Sequence, residues 1–259
     1  MNCTSGIFLF TPDEDPYANM ALDYWLFESI GTGRFAASAI LRLYSWRIPA
    51  ITLGYNQNPD RVVNWSLLPP EFPVIRRVTG GRAIYHEDTE ITFSLIGSLH
   101  LFPEQGRSLK AANIAISQSI VAVLEKIGLK ATWSQQSDIN FNKSGVHSFK
   151  SCFSSLSRYE IVAEGLKIAG GAQRRRGNWF IYQSSIKING ALECEAIGQT
   201  QSLSPFPEII GIADFAPIFP QVFSKNLNIE FGLFNFDESE IAQWNAVVTD
   251  LKKTPLKKR

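Results

Sequence analysis

The sequence feature that most constrains the fold is a run of three short apolar segments between residues 158 and 188. The segments are RYEIVAE, LKIAGGAQ and WFIYQSSIKI. Turn residues at 164–165 and 176–178 separate them, and short glycine-containing turns of this kind join antiparallel strands. The pattern therefore predicts a three-strand meander in which Lys167 lies opposite Val162.

Lys167 and the glycine pair behind it interrupt the apolar pattern of the second segment. A lysine in a buried strand is costly unless its ammonium group reaches solvent or meets an anionic partner. Gly170 and Gly171 weaken a strand, and such glycines indicate the close approach of backbone or of a ligand. On these residues alone, a ligand site and a purely structural lysine are equally open.

The rest of the chain shows runs of strand patterns with helix patterns between and after them. Strand patterns occupy residues 39–46, 50–55, 72–80, 82–87, 90–97 and 130–134, and helix patterns occupy 15–31, 108–128 and 238–253. This order predicts an α+β fold, with a mixed or antiparallel sheet and helices packed on it. We expect one domain over residues 1–251, followed by a basic tail at 252–259.

Each helix pattern carries an apolar face that we expect to point inward. The faces are Leu22, Trp25, Leu26 and Ile30 in the first helix, Ala111, Ile114, Val121, Leu124 and Ile127 in the second, and Ile241, Trp244, Val248 and Leu251 in the third.

Composition excludes several classes of protein. With 45% hydrophobic residues the chain can bury a core, yet it has no apolar run near the roughly 20 residues of a membrane span. The N-terminal residues do not have the basic flank and long apolar run of a secretory signal. Three cysteines, odd in number and far apart, fit a reducing compartment, so we expect a cytoplasmic protein without a membrane partner. The last eight residues carry five positive charges and the remainder is net acidic, which argues against a nucleic-acid partner.

A second candidate site is the turn within RRVTGGRAIYHE, residues 76–87. Gly80 and Gly81 allow positive φ angles or the close approach of a ligand. The arginines around them are Arg76, Arg77 and Arg82. Guanidinium groups suit a phosphate or a carboxylate, although the segment matches neither a P-loop nor a dinucleotide fingerprint. His86 is a candidate for lining this site, and because the three histidines have no metal-ligand spacing we expect no metal site.

Cys152 lies in a serine-rich loop, fifteen residues before Lys167. A cysteine acts as a nucleophile through its thiolate, and a nearby ammonium group lowers the pKa of the thiol. Residues 152–158 can span roughly 23 Å when extended, so the chain permits the two side chains to meet without requiring it. On spacing alone, a small buried apolar residue is the commoner role for a single cysteine, and Cys3 and Cys194 are assigned that role.

Several blocks, in order along the chain, resemble the biotin/lipoate protein ligase superfamily, and within it the lipoate ligases and the cysteine-dependent octanoyltransferases. The blocks are NMALDYWL, RLYSWRIPAITLGYNQNPD, RRVTGGRAIYHEDTEITFSL and GLKIAGGAQRRRGNWFIYQSSI. The resemblance implies the α+β fold of that family's catalytic domain, in which helices flank a curved mixed sheet.

The resemblance also implies roles for particular residues. Lys167 matches the family's signature active-site lysine, and the glycine-arginine turn would line the pocket for the acyl donor or acyl-adenylate. The implied substrate-binding residues are Arg76, Arg77, Thr79, Gly80, Gly81, Arg82, His86, Gly170 and Ala172. Cys152 followed by phenylalanine, and Arg82 after the glycine pair, are more similar to the octanoyltransferases than to ATP-using ligases, many of which have a third glycine there.

The function implied by this resemblance is octanoyl transfer in protein lipoylation. Cys152 would take an octanoyl group from acyl carrier protein as a thioester, and a lysine of a lipoyl-domain protein, such as the glycine-cleavage H protein, would receive it. This chemistry needs no cofactor. Two alternatives stay open: a lipoate-protein ligase that uses ATP and Mg²⁺, with Cys152 structural, and a non-catalytic homologue that binds lipoyl domains. Gln183 and Ser184 depart from the histidine-glycine pair common in relatives.

Overall fold

The computed structural model describes residues 4–102, 107–134, 159–187, 194–199, 210–254 and 256. The strands in these ranges are β1 (Thr4–Glu14), β2 (Ala39–Trp46), β3 (Ala50–Leu53), β4 (Val74–Arg76), β5 (Ile84–His86), β6 (Ile91–Ser98), β7 (Thr132–Trp133), β8 (Ile161–Ala163), β9 (Leu166–Arg176), β10 (Trp179–Ile186) and β11 (Ile229–Leu233). The helices are α1 (Pro16–Ser29), α2 (Pro59–Val62), α3 (Leu109–Lys126), α4 (Ile212–Phe215), α5 (Ile218–Leu227) and α6 (Glu238–Lys253).

Eight of these strands form one mixed sheet, in the order β11-β1-β2-β6-β10-β9-β8-β7. β1 runs parallel to both β11 and β2, and the other neighbouring strands pair antiparallel. A second sheet, in the order β4-β3-β5, carries the glycine-arginine turn between β4 and β5. The predicted α+β class with a mixed sheet is confirmed.

The predicted meander is β8, β9 and β10. Val162 pairs with Lys167, as its turn position predicted. Glu164 and Gly165 both have positive φ angles, of 49° and 76°, as a tight two-residue hairpin turn requires. Gly177, in the turn between β9 and β10, also has a positive φ angle, of 58°. Turn chemistry therefore sets the register that pairs Lys167 with Val162.

Two strands were not predicted. β1 has a continuous apolar run, Ile7 to Phe10, where a half-buried strand would show alternation, and β11 is only five residues long. They pair with each other although more than 200 residues of chain separate them, from Thr4 with Ile229 onward. A pairing between strands so far apart in the chain cannot be read from a local sequence pattern.

Helix α1 begins at Pro16, one residue after the start of the predicted range. The side chain of Asp15 accepts hydrogen bonds from the backbone N–H groups of Tyr17 and Ala18, at 3.0 and 3.2 Å. Pro16 occupies the first turn, where its missing N–H group costs nothing. The predicted inward face of α1 is confirmed, since Leu22, Trp25, Leu26 and Ile30 are all buried.

The predicted inward faces of α3 and α6 need correction. Helix α3 packs against the sheet and α5, and its fully buried apolar residues are Ala112, Ile116, Ile120, Val123 and Leu124. Of the predicted α3 face only Leu124 is fully buried; Ala111, Ile114, Val121 and Ile127 are partly buried at its margins. For α6 the prediction is correct in part: Trp244 packs on the cluster beneath α1 and Leu251 packs on a second core cluster. Val248 is partly buried, and Ile241 is wrong, since it is 39% exposed.

Both faces of the large sheet are covered. Helices α3 and α5 cover one face, where the rings of Phe93, Phe219 and Phe223 contact one another with centroids 5.3 to 5.6 Å apart. Helix α1 covers the other face through Leu22 and Leu26. In the described ranges, every helix is too short or too polar to cross a membrane.

Candidate active site

A cleft lies between the small sheet, the glycine-rich part of β9 and strand β10. It encloses about 420 Å³ of space free of protein atoms, part of it open to solvent. Its apolar wall consists of Met20, Tyr44, Trp46 and Ile84. Its backbone wall consists of Gly81, Gly170, Gly171 and Ala172. The remaining lining side chains are polar, so the cleft offers an apolar surface beside hydrogen-bonding groups.

Arg77 fixes the glycine-arginine turn at one edge of the cleft. Its Nη2 group donates hydrogen bonds to the carbonyl oxygens of Gly80 and Arg82, at 2.6 and 2.7 Å. Its Nη1 group donates to the carbonyl oxygen of Thr52 at 3.1 Å. Arg77 is only 4% exposed, and it thus holds the turn from the inside while lining the cleft.

The turn also depends on close backbone contact between two glycines. A Cβ atom on Gly54 would lie 2.0 Å from the carbonyl oxygen of Gly81, which no real side chain tolerates. Gly81 itself has a φ angle of 88°, in the left-handed region that favours glycine. The positive φ angle predicted for the glycines of this turn is therefore found at Gly81. The close contact of Gly81 with Gly54 was not predicted.

The other predicted residues of this turn take different positions. Arg76 donates from Nη1 to the carbonyl oxygens of Gly54, Tyr55 and Gln57, at 2.8 to 3.1 Å, so it braces the preceding loop. Arg82 is exposed beside the cleft. Thr79 and Gly80 lie behind the lining residues, since Thr79 is fully buried and Gly80 contributes the carbonyl group that Arg77 binds.

His86 lines the cleft and lies in a directed chain of hydrogen bonds. Its Nδ1 atom is 2.7 Å from Oε1 of Glu90, and its Nε2 atom is 2.7 Å from the hydroxyl of Thr52. The carboxylate can only accept, which assigns the proton to Nδ1, so that Nε2 accepts from Thr52. Burial, together with the charges of Lys187 and Arg77, lowers the pKa of His86 well below its usual value. The ring is thus a neutral donor and acceptor, and it stacks on Trp46 at 4.0 Å.

Glu90 is the buried end of this chain. It also accepts a hydrogen bond from the hydroxyl of Thr92, at 2.9 Å, and its second oxygen contacts the ammonium of Lys187. Burial lowers the pKa of Lys187 to about 7, against the opposing effect of Glu87. Thr92 and Lys187 therefore fix the position of the carboxylate, and the carboxylate fixes His86 in turn.

A second buried network lies behind the apolar wall and centres on Asp23 of α1. Asp23 pairs with Arg42 of β2 at 2.9 Å, and neither side chain is exposed to solvent. Asp23 also accepts from the hydroxyls of Tyr44 and Ser94, at 3.0 and 2.9 Å, and from the amide of Gln183 at 2.6 Å. Burial and the charge of Asp23 raise the pKa of Tyr44 well above its usual value, so Tyr44 donates as a neutral phenol.

Sequence reasoning missed this network, although one signal was available. Asn19 and Asp23 are polar residues four apart, on the face of α1 that carries the buried Leu22 and Leu26. Polar side chains on a buried helix face need internal partners, and here Arg42 supplies them.

Lys167 of β9 is buried beside the cleft. Its Nζ atom donates to Oε1 of Glu160 at 2.7 Å, and the two side chains are 6% and 11% exposed. The Lys167 side chain lies against Gly170. Gly170 and Ala172 both line the cleft. The structure therefore brings Gly170, Ala172, Arg77 and Gly81 together around one cleft, and Lys167 lies against Gly170 without itself lining it. Cys152 lies outside the described residues.

This arrangement has a definite chemical capacity. A buried ammonium next to a cleft stabilises a thiolate or the oxyanion of a reacting carbonyl group, because few water molecules screen its charge there. Polar side chains that line the cleft, such as Ser184 and Ser185, can orient a polar group. Within the described ranges, the acidic, histidine and cysteine side chains form no cluster of three or more suited to a metal ion.

Comparisons with known proteins agree with one another. Residues 15–208 match the model of the family described as lipoyl protein ligase A/B catalytic domain. The octanoyltransferase LipM of Kyrpidia tusciae is 33% identical over 180 residues, which span 69% of this chain and 64% of that protein. The octanoyltransferase LipM of Staphylococcus aureus is 28% identical over 265 residues, 91% of this chain and 92% of that protein.

A solved structure shares the fold. The putative lipoate protein ligase Ta0514 of T. acidophilum, with bound lipoic acid, superposes with a TM-score of 0.72 at 18% sequence identity, and covers 95% of each chain.

Proposed function

Because the chain belongs to the lipoyl protein ligase A/B catalytic domain family, we propose that it transfers an octanoyl group from acyl carrier protein to a lysine of a lipoyl-domain protein. Relatives that bear the name octanoyltransferase LipM support the choice of acyl group. The glycine-cleavage H protein is the acceptor with which we would test it first.

The reaction has two steps. The thiolate of Cys152 attacks the carbonyl carbon of the octanoyl thioester, a new carbon–sulfur bond forms, and the carrier thiol leaves after taking up a proton. The amino group of the acceptor lysine then attacks this carbon, loses a proton and displaces the Cys152 thiolate. In both steps negative charge develops on the carbonyl oxygen, and the ammonium of Lys167 stabilises it.

The observation that carries this proposal is the position of Lys167. Its ammonium is buried against Gly170, a lining residue of a cleft that also has an apolar wall. An acyl chain needs the apolar wall, and its carbonyl group needs the positive charge. A third side of the cleft is formed by Arg77, His86 and the glycine turn, and it restricts how the acyl chain can enter.

Intact-protein mass spectrometry tests the proposal. The protein is mixed with octanoyl-acyl carrier protein in the absence of ATP, and we expect an octanoyl adduct that neutral hydroxylamine removes. The adduct should map to Cys152, be lost together with transfer in Cys152→Ser, and persist in Cys194→Ala, whose cysteine packs among Ile51, Leu53 and their neighbours. A folded protein that forms no adduct would contradict the thioester mechanism.

The ligase alternative predicts different requirements. A lipoate-protein ligase would need ATP and Mg²⁺, would use free lipoate, and would keep its activity in Cys152→Ser. Arg82 favours the transferase, because many ligases of this family have glycine at that position. Acceptor modification with free octanoate plus ATP, but without carrier protein, would replace our proposal with ligation.

A further inference from the structure

The ion pair between Lys167 and Glu160 lies against Gly170 of β9, a residue without a side chain. The two charged atoms lie 2.7 Å apart, and both residues are buried. A Cβ atom on Gly170 would lie 2.9 Å from Cε and 3.2 Å from Nζ of Lys167, and 3.5 Å from Oε1 of Glu160. The pair therefore fills the space that a side chain at Gly170 would occupy. Gly170 also lines the cleft, so the ammonium lies next to one residue of the cleft wall.

The backbone that carries Glu160 is fixed from two sides. Its carbonyl oxygen accepts a hydrogen bond of 2.9 Å from the N–H group of Ser134, whose own carbonyl oxygen accepts from Tyr159 at 2.8 Å. The hydroxyl of Ser117, on α3, donates to the carbonyl oxygen of Tyr159 at 3.0 Å. Glu160 is thus anchored to both the edge of the sheet and a core helix.

Tyr159, the residue before Glu160, has an unfavourable backbone conformation. Its φ angle is 69°, in the left-handed region that non-glycine residues seldom adopt, while its ring stacks on Trp133 at 5.9 Å. Such a conformation persists only where the surrounding contacts impose it. The turn at Tyr159 sets the direction in which the chain enters Glu160 and then β8.

We propose that Glu160 is a positioning residue for Lys167, an inference that rests on the proposed octanoyl transfer. Its carboxylate holds the ammonium over Gly170 and keeps it from extending along the strand. The lysine can then meet the carbonyl oxygen of a bound acyl group without first being ordered, so catalysis avoids the entropy of fixing a flexible side chain. This role was not apparent from the sequence, where Glu160 is one more polar residue at the start of a strand.

The test compares Glu160→Gln with Glu164→Gln, the same substitution at an exposed position of the same hairpin. Loss of positioning should lower kcat of Glu160→Gln about tenfold to 100-fold, with KM for octanoyl-acyl carrier protein within about twofold of the wild type. Glu164→Gln should match the wild type. Glu160→Asp, which keeps the charge but shortens the reach, should recover part of kcat.

A second readout does not depend on turnover. The rate at which Lys167 reacts with an amine-selective reagent, followed by peptide mass spectrometry, should rise several-fold in folded Glu160→Gln and stay unchanged in Glu164→Gln. If Glu160→Gln folds, transfers at the wild-type rate and leaves Lys167 as protected as before, the proposal is wrong. A wild-type protein without transfer activity would refute the octanoyltransferase assignment, while the labelling rates would still decide whether Glu160 orders Lys167.

Discussion

Gln183 of β10 donates a hydrogen bond of 2.6 Å to Asp23 of α1, and this contact joins the cleft wall to the buried network behind it. Its amide oxygen accepts from the hydroxyl of Thr79 at 2.7 Å, so one side chain connects the helix with the glycine-arginine turn. The amide of Gln183 thus supplies both a donor and an acceptor. The departure noted in the sequence is thus matched by its surroundings.

Replacing Gln183 by glutamate should destabilise the protein in a pH-dependent way. Two carboxylates would then share one buried site, which raises the pKa of the new group and costs about 2 kcal/mol or more at neutral pH. Since the folded state would bind the extra proton more readily than the unfolded state, the loss should grow as pH rises from 5.5 to 8. Urea unfolding at these pH values measures it. Gln221→Glu, exposed on α5, should show little change, and equal effects of the two variants would contradict the prediction.

Replacing Asp23 by asparagine should cost about 3–5 kcal/mol of unfolding free energy, because Arg42 would keep a buried charge without its counter-ion. The matched control is Asp13→Asn, since Asp13 is 76% exposed and lies 3.9 Å from Arg47. That exposed pair should contribute less than about 1 kcal/mol. Chemical denaturation of both variants is the measurement, and a stable Asp23→Asn protein would show that the network tolerates a neutral centre.

Adding a methyl group at Gly54 should displace the glycine-arginine turn. The new Cβ atom would lie 2.0 Å from the carbonyl oxygen of Gly81, and backbone atoms cannot move aside as a flexible side chain does. We expect Gly54→Ala to lose about 1–3 kcal/mol of stability and to lose most octanoyl transfer. Gly232→Ala, where a Cβ atom meets nothing within 4 Å, is the control. Thermal unfolding and transfer assays that rank the two variants alike would disprove the steric argument.

Because His86 is buried, we expect the free energy of unfolding to decrease as the pH falls below about 6.5. Its pKa in the folded protein is below the value of about 6.5 that it has when unfolded, so the unfolded state binds more protons at lower pH. This contribution is therefore fully present above pH 6.5 and is lost as pH falls, by up to about 1.4 kcal/mol per pH unit. Unfolding free energies between pH 7.5 and 5.5 should decline less steeply in His86→Gln than in the wild type. His100→Gln, at an exposed position, should keep the wild-type slope, and an unchanged slope in His86→Gln would refute the assignment.

Local patterns predicted the elements well where turn chemistry and periodicity agreed. β2 and α6 begin and end at the predicted residues, and the turn at Glu164 gave the pairing of Val162 with Lys167. Long-range relations were not predictable in this way. Lys167 forms an ion pair with Glu160, and the contact of Gly54 with Gly81 joins two separate loops. Such contacts depend on how elements pack, which periodicity does not specify.

The parallel pairing of β1 with β11 has a consequence for biosynthesis. β1 is translated long before β11, and its outer edge stays without its partner until residues 229–233 have left the ribosome. An unpaired strand edge is a template for association with other chains. Contacts over such a separation also close slowly. The nascent protein should therefore depend on chaperones until late in synthesis, and truncation before β11 should yield aggregates even though the cleft residues are all present.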